Sequence, residues 1–150
     1  MGTEGGTVTA SQGHDQITFG AGADAFVAST AAGAAAADMS TIAGFTSGTD
    51  KILTVAGAST AGTTTNVHIT STAVANMNAD ILAALTTALD AGTHNLTADN
   101  AYVVELTGVH AGTYVVIEKS TATTVDDSDI VVQLAGVHAA DIAVGDILFS

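Results

Sequence analysis

Short alternations of apolar and polar residues, broken every few positions by glycine, fill the first 27 residues. Period-two alternation turns one side of a strand toward a core and the other toward solvent, so this segment reads as brief turn–strand units. Residues 28–41 are dominated by alanine and carry no decisive periodicity, and a loop and a short helix both fit them. From Ile42 the texture changes. Thr46-Ser-Gly-Thr-Asp50 is a turn, Lys51-Ile-Leu-Thr-Val55 a strand, residues 56–65 a Gly/Ser/Thr loop and residues 66–70 a further strand.

The spacing predicts one helix, at about residues 79–90. Met77, Ile81, Leu85 and Leu89 recur every fourth residue with Leu82 beside them, an apolar stripe suited to core packing. Asn78 or Asp80 can cap its start, and Gly92 stands where a C′ glycine belongs. Strands follow at 101–107, 113–118, 129–134 and 147–149, the first two joined by a five-residue hairpin loop at 108–112.

Composition narrows the architecture. Ala, Thr and Gly make up nearly half the chain, with no Pro, Trp or Cys, so the core must be built from small and β-branched side chains, which favours sheets. At 150 residues the chain fits one domain. With Lys51 and Lys119 as its only basic residues apart from His, the net charge is −13, which repels phosphate backbones and excludes nucleic acid as a partner. That acidity serves solubility as well as it serves cation binding. No apolar run is long enough for a membrane span, and Met1-Gly2-Thr3-Glu4-Gly5-Gly6 lacks the basic and apolar regions of a cleaved signal peptide.

Two repeats stand out. Gly13-x-Asp15-x-Ile17 recurs nine residues later as Gly22-x-Asp24-x-Phe26, with Gly20-Ala-Gly22 completing the second unit. This matches the calcium-binding nonapeptide G-G-x-G-x-D-x-U-x, in which glycines allow a tight turn, Asp supplies a hard anionic oxygen and U is a large apolar residue. Gly2, Gly6 and Val8 keep the phase upstream, but Glu4 and Gly6 replace the Gly and Asp. Asp15 and Asp24 are also ordinary turn formers. On the calcium reading they are expected to stack on one edge of adjacent turns, with Ca2+ between them and Gly13, Gly20 and Gly22 contributing turn carbonyls. Asp50, Asp126, Asp127 and Asp129 are additional metal candidates. The second repeat pairs Val103-Val-Glu-Leu-Thr-Gly-Val-His-Ala111 with Val131-Val-Gln-Leu-Ala-Gly-Val-His-Ala139. Both copies are expected to pack in similar settings, which makes His110 and His138 candidates for a shared transition-metal site.

The ordered motifs resemble the RTX-type proteins that bacteria export by type I systems, above all the C-terminal regions of surface-layer proteins and serralysin-like proteases. Ala25-Phe26-Val27 is similar to that family's D-x-F-V-F strand. Ile42-Ala-Gly-Phe45-Thr-Ser-Gly-Thr-Asp50-Lys-Ile52 resembles I-x-D-F-x-x-G-x-D-x-I, with Gly44 where an Asp is usual. Thr113-Tyr-Val-Val-Ile117, Asp126-Asp-Ser-Asp129 and Ile130-Val-Val-Gln-Leu134 follow the order of the closing strands. The ending Asp146-Ile147-Leu148-Phe149 is similar to the uncleaved export signal. The resemblance implies a chain that stays unfolded at low cytoplasmic calcium, leaves the cell without a cleaved signal and folds outside.

The fold class expected is therefore mostly β: a short parallel β-roll stub continuing into a β-sandwich-like sheet domain with one amphipathic helix. It is a single domain over 1–150, with degenerate repeats at 1–27 and a β-rich secretion and assembly region at 28–150. No H-E-x-x-H, G-x-S-x-G or phosphate loop is present, so no enzyme is expected. The leading expectation is a secreted bacterial structural protein or module that binds calcium and self-assembles outside the cell into a surface layer, filament or matrix. Its partners are then itself, as a homo-oligomer or polymer, and the type I apparatus. One alternative is the C-terminal secretion-signal module of a larger secreted enzyme, for which deleting residues 146–150 should abolish export and leave the fold largely intact. A second is a cell-surface carbohydrate-binding module, disfavoured by having only Tyr102 and Tyr114 as polar aromatics.

Overall fold

The computed structural model describes residues 2–10, 13–28, 39–54, 67–70, 73–76, 80–90, 96–119 and 123–149. Five short strands come first: β1 (Thr7–Thr9), β2 (Gln16–Thr18), β3 (Ala25–Ala28), β4 (Ser40–Ala43) and β5 (Lys51–Thr54). Then follow β6 (Val67–Ile69), β7 (Val74–Asn76), helix α1 (Ile81–Asp90), β8 (Ala101–Gly108), β9 (Gly112–Ile117), β10 (Ile130–Ala135) and β11 (Ile147–Phe149).

The glycine-punctuated repeats fold as they do because each nonapeptide supplies one turn and one strand, and successive strands alternate between two sheets. Strands β1, β3 and β5 lie in the first sheet, β2 and β4 in the second, all in parallel register. A nonapeptide is therefore half a coil of a roll. Val8 lies beside Phe26, two nonapeptides along, and Phe26 beside Ile52. The apolar residues that alternate along these strands form columns: Val8, Phe26, Ile52 and Ile147 in the first sheet, Ile17, Ile42 and Leu134 in the second. The two columns share one core between the sheets, in which Phe26, Ile42, Ile52 and Ile147 are fully buried. Each such side chain stabilises the fold by about 1.5–3 kcal/mol. Val8 and Ile17, at the end of the columns, are only half-buried. Glycine is obligatory where coils touch: a Cβ on Gly22 would lie 2.0 Å from the Gly5 nitrogen, and Gly5 itself has φ of 75°.

The second sheet continues past the roll in the order β2-β4-β10-β9-β8-β6, with β7 on the far end of β8. Strand β9 runs antiparallel to both β8 and β10. These three strands read as near-continuous apolar runs because both faces are covered. One faces the roll core, and the other faces α1, where Ile81, Ala84, Leu85, Ala88 and Leu89 pack on Tyr102, Val104, Leu106 and Val116. Asp80 Oδ1 accepts the N–H groups of Leu82 and Ala83 at 2.9 and 3.2 Å and is the N-cap. The expected roles of Met77, Asn78 and Gly92, and most of the 28–41 stretch, fall outside the described residues. The mostly-β class and, among the described residues, the two sheets and the single α-helix agree with the reading of the sequence; β7 and the start of β4 at Ser40 did not figure in it.

One expectation is overturned here. The matched segments around Val103 and Val131 flank β9, but their registers differ by one residue: Thr113 lies opposite Glu105 on one side and Leu134, not Gln133, on the other. A one-residue slip inverts every side chain. Val103 accordingly faces the roll core, and its counterpart Val131 faces the helix. The terminal segment is a strand of the first sheet. Strand β11 forms an edge of the first sheet beside β5, with Asp146, Ile147 and Phe149 buried and Leu148 half-buried.

Candidate functional site: a row of buried carboxylates

An aspartate stands directly before β2, β3, β5, β10 and β11. Four of these five, Asp24, Asp50, Asp129 and Asp146, are at most 1% exposed. Burying a carboxylate is costly unless hydrogen bonds compensate, and here one device recurs. The Oδ2 atom of each closes its own turn by accepting a backbone N–H from three or four residues upstream. The donors are Gly20 for Asp24 (2.6 Å), Thr46 for Asp50 (2.8 Å), Asp126 for Asp129 (2.8 Å) and Ala143 for Asp146 (3.0 Å). The Oδ1 atom then reaches a neighbouring segment. Asp50 Oδ1 accepts the Asp24 N–H at 2.8 Å, and Asp129 Oδ1 accepts the Lys119 N–H at 2.9 Å. Asp146 Oδ1 accepts the Gly48 N–H at 2.9 Å and the Lys51 ammonium at 3.0 Å, while Ser47 Oγ donates to its Oδ2 at 2.6 Å. Burial pushes the Asp146 carboxyl up, but the donors from Ser47, Gly48, Lys51 and Ala143 together outweigh it and hold the group below the ordinary carboxylate range.

Asp24 departs from the pattern. Its Oδ1 is buried with no hydrogen-bond partner among the described residues. By the register that sets Ala25 beside Thr7 and Lys51, the residue opposite Asp24 is Asp50 on one side and Gly6, which has no side chain, on the other. A buried anionic oxygen between two glycine turns is suited to a hard cation. Asp24 Oδ1 and carbonyl oxygens of the turns at residues 2–6 and 20–24 are the groups that would hold it.

The other anticipated ligands are placed differently. Asp15 precedes β2 in the second sheet and Asp24 precedes β3 in the first, so the two do not stack; nine residues span half a coil, not a whole one. Asp15 is half-buried, and its carbonyl accepts the Thr41 N–H at 2.8 Å. Gly13 takes φ of 104° with open space about its Cα, whereas Gly22 is wedged against Gly5. Asp126 accepts the N–H and hydroxyl of Ser128, which hold its carboxyl low, and Asp127 is exposed. Among the described residues no three His, Asp or Glu side chains cluster as a metal-holding group. Sequence reasoning missed Ser47, Gly48 and Lys51 as partners of Asp146. The Asp before strand after strand was the available signal that Asp146 belongs to the row.

The one-residue slip also separates the settings of His110 and His138. His138 Nδ1 lies 2.9 Å from Glu105 Oε1, and Glu105 Oε2 accepts the Ala139 N–H at 3.1 Å. Gln133, the counterpart of Glu105, instead faces Thr41 and Tyr114. Tyr114 donates to the His110 carbonyl at 3.1 Å. Tyr102 and Tyr114 are both buried, so neither presents a ring to a sugar.

The His138–Glu105 pair sets a pH window. The Glu105 hydrogen bond raises the His138 imidazole above its usual 6.5, and the same bond lowers Glu105 below 4.5. The His138 contribution is complete below pH 6.5 and lost as pH rises through the raised value; that of Glu105 is complete above 4.5 and lost as pH falls. NMR titration should show His138 deprotonating above pH 6.5 in the wild type and near it in Glu105→Gln; an unchanged midpoint would dissolve the pair.

No protein-family model matches the chain, and no curated protein matches it. No helix among the described residues is long and apolar enough to cross a membrane.

Proposed function

We propose that this chain is a secreted bacterial structural module that binds calcium through the first coils of its roll and self-assembles outside the cell after type I export. The observation that carries the reading is Asp24 Oδ1, a buried carboxylate oxygen without a hydrogen-bond partner, set between glycine turns. Its cousins in Asp50, Asp129 and Asp146 are each satisfied by a donor. The charge of −13 adds to it, since an acidic chain repels itself until a cation bridges its carboxylates. Burial of Ile147 and Phe149 fits export before folding, because a signal at these residues is readable only in the unfolded chain. Assembly is supported by β1 and β2, which among the described residues stand at the edges of their sheets at one end of the roll. The same observations fit the export module of a larger secreted enzyme, which lacks only the assembly step.

A ligand that binds the folded form alone at 100 times its dissociation constant stabilises it by about 2.7 kcal/mol. Calcium should therefore raise the melting temperature by roughly 5–10 °C at 2–4 °C per kcal/mol, and Asp24→Ala should remove most of that rise. Equal gains in wild type and variant would refute the site. Electron microscopy of the same samples should show polymers with calcium, and monomers alone at millimolar calcium would leave only the export module.

A further inference from the structure

We propose that Lys51 is a resident cation that takes the place of calcium at the last junction of the roll, which confines the calcium requirement to the first coil. This rests on the calcium reading of Asp24.

The first sheet contains three junctions between successive coils, each marked by an aspartate of the row. At the middle junction Asp50 Oδ1 receives the Asp24 N–H. At the last, the strand register sets Lys51 beside Asp146, and the Lys51 ammonium reaches Asp146 Oδ1 from a side chain that is itself mostly buried, 31% exposed. With Gly48, Ser47 and Ala143 also donating, Asp146 has four partners, and an entering divalent ion would meet a fixed positive charge where it needs free oxygen. At the first junction the register sets Gly6 opposite Asp24, and neither Gly6 nor the neighbouring Thr7 carries a cationic side chain. Asp24 Oδ1 there has no hydrogen-bond partner among the described residues. The three junctions are thus closed in three ways: the middle by a backbone amide, the last, where the register sets Asp146 against Lys51 and not Asp50, by an ammonium beside the Gly48 amide, and the first by an ion from solution. The middle and last coils hold together in its absence, and calcium fastens the first coil onto them.

Hydrogen–deuterium exchange on the full chain, with and without calcium at 100 times its dissociation constant, separates the cases. Amides in residues 3–10 and 20–28 should slow by up to about a hundredfold, while those in 51–54 and 147–149 should not change. Lys51→Met should speed exchange at 147–149 with or without calcium, Lys51→Arg should restore it, and neither should alter the calcium response at 3–10. Slowing of all four segments together would overturn the confinement while leaving calcium binding in place. Slowing of none would overturn the calcium reading and this inference with it. Wild-type exchange at 147–149 in Lys51→Met would remove Lys51 from its role.

Discussion

A chain ending at residue 145 is expected to lose its cooperative thermal transition. Ile147 and Phe149 are at most 1% exposed, and each withdraws about 1.5–3 kcal/mol when removed. Their loss also uncovers Ile52, whose flank β11 protects. Without Asp146, the Gly48 and Ala143 N–H groups and the Lys51 ammonium lose their acceptor. The total passes about 5 kcal/mol, against the 5–15 kcal/mol by which domains are stable at all. Circular dichroism melting is the measurement. A truncated chain that melts within about 2 °C of the full one, less than 1 kcal/mol at this size, would show that β11 is a tail after all.

Asp50→Ala is expected to cost about 1–3 kcal/mol, because the buried Asp24 N–H loses its acceptor at 2.8 Å and such an orphan costs about that much, while the part-buried Thr46 N–H, which also loses its acceptor, can turn to solvent. Asp50→Asn retains one acceptor oxygen and turns an amide NH2 toward the other donor, so it should fall between wild type and Ala. Urea unfolding at neutral pH gives the order. If Asn and Ala lose equal stability, or neither loses more than about 0.5 kcal/mol, the typical range for surface changes, the row of carboxylates is not what ties coil to coil.

Much of this architecture was legible in the chain. The nonapeptide spacing announced a roll, the four-residue stripe from Ile81 to Leu89 announced α1, and the strands read at 101–107, 113–118 and 129–134 announced the sheet. What escaped was phase and distance. Nine residues fill half a coil because the chain must cross from one sheet to the other before it returns, so Asp15 and Asp24 part company. The near-identity of the segments at 103–111 and 131–139 concealed a one-residue difference in pairing with β9, which periodicity cannot reveal because it is decided by contacts on the partner strand. The tie from Lys51 to Asp146 joins residues 95 apart in the chain, and no local pattern encodes such a contact. Asp146 was read as part of an export signal on its ending alone, whereas its place in the row depends on β11 returning to β5.

The half-buried Val8 and Ile17 give the roll a direction. Among the described residues the coil of β1 and β2 is gripped on one side in both sheets, whereas β11, the other edge of the first sheet, continues from a second sheet held on both sides, so opening the first coil breaks a single interface. Thermal fluctuation therefore peels this fold like a zipper with one loose end. The slider travels from β1 toward β5 and stops where β10, β9 and β8 lie clamped between the roll and the helix.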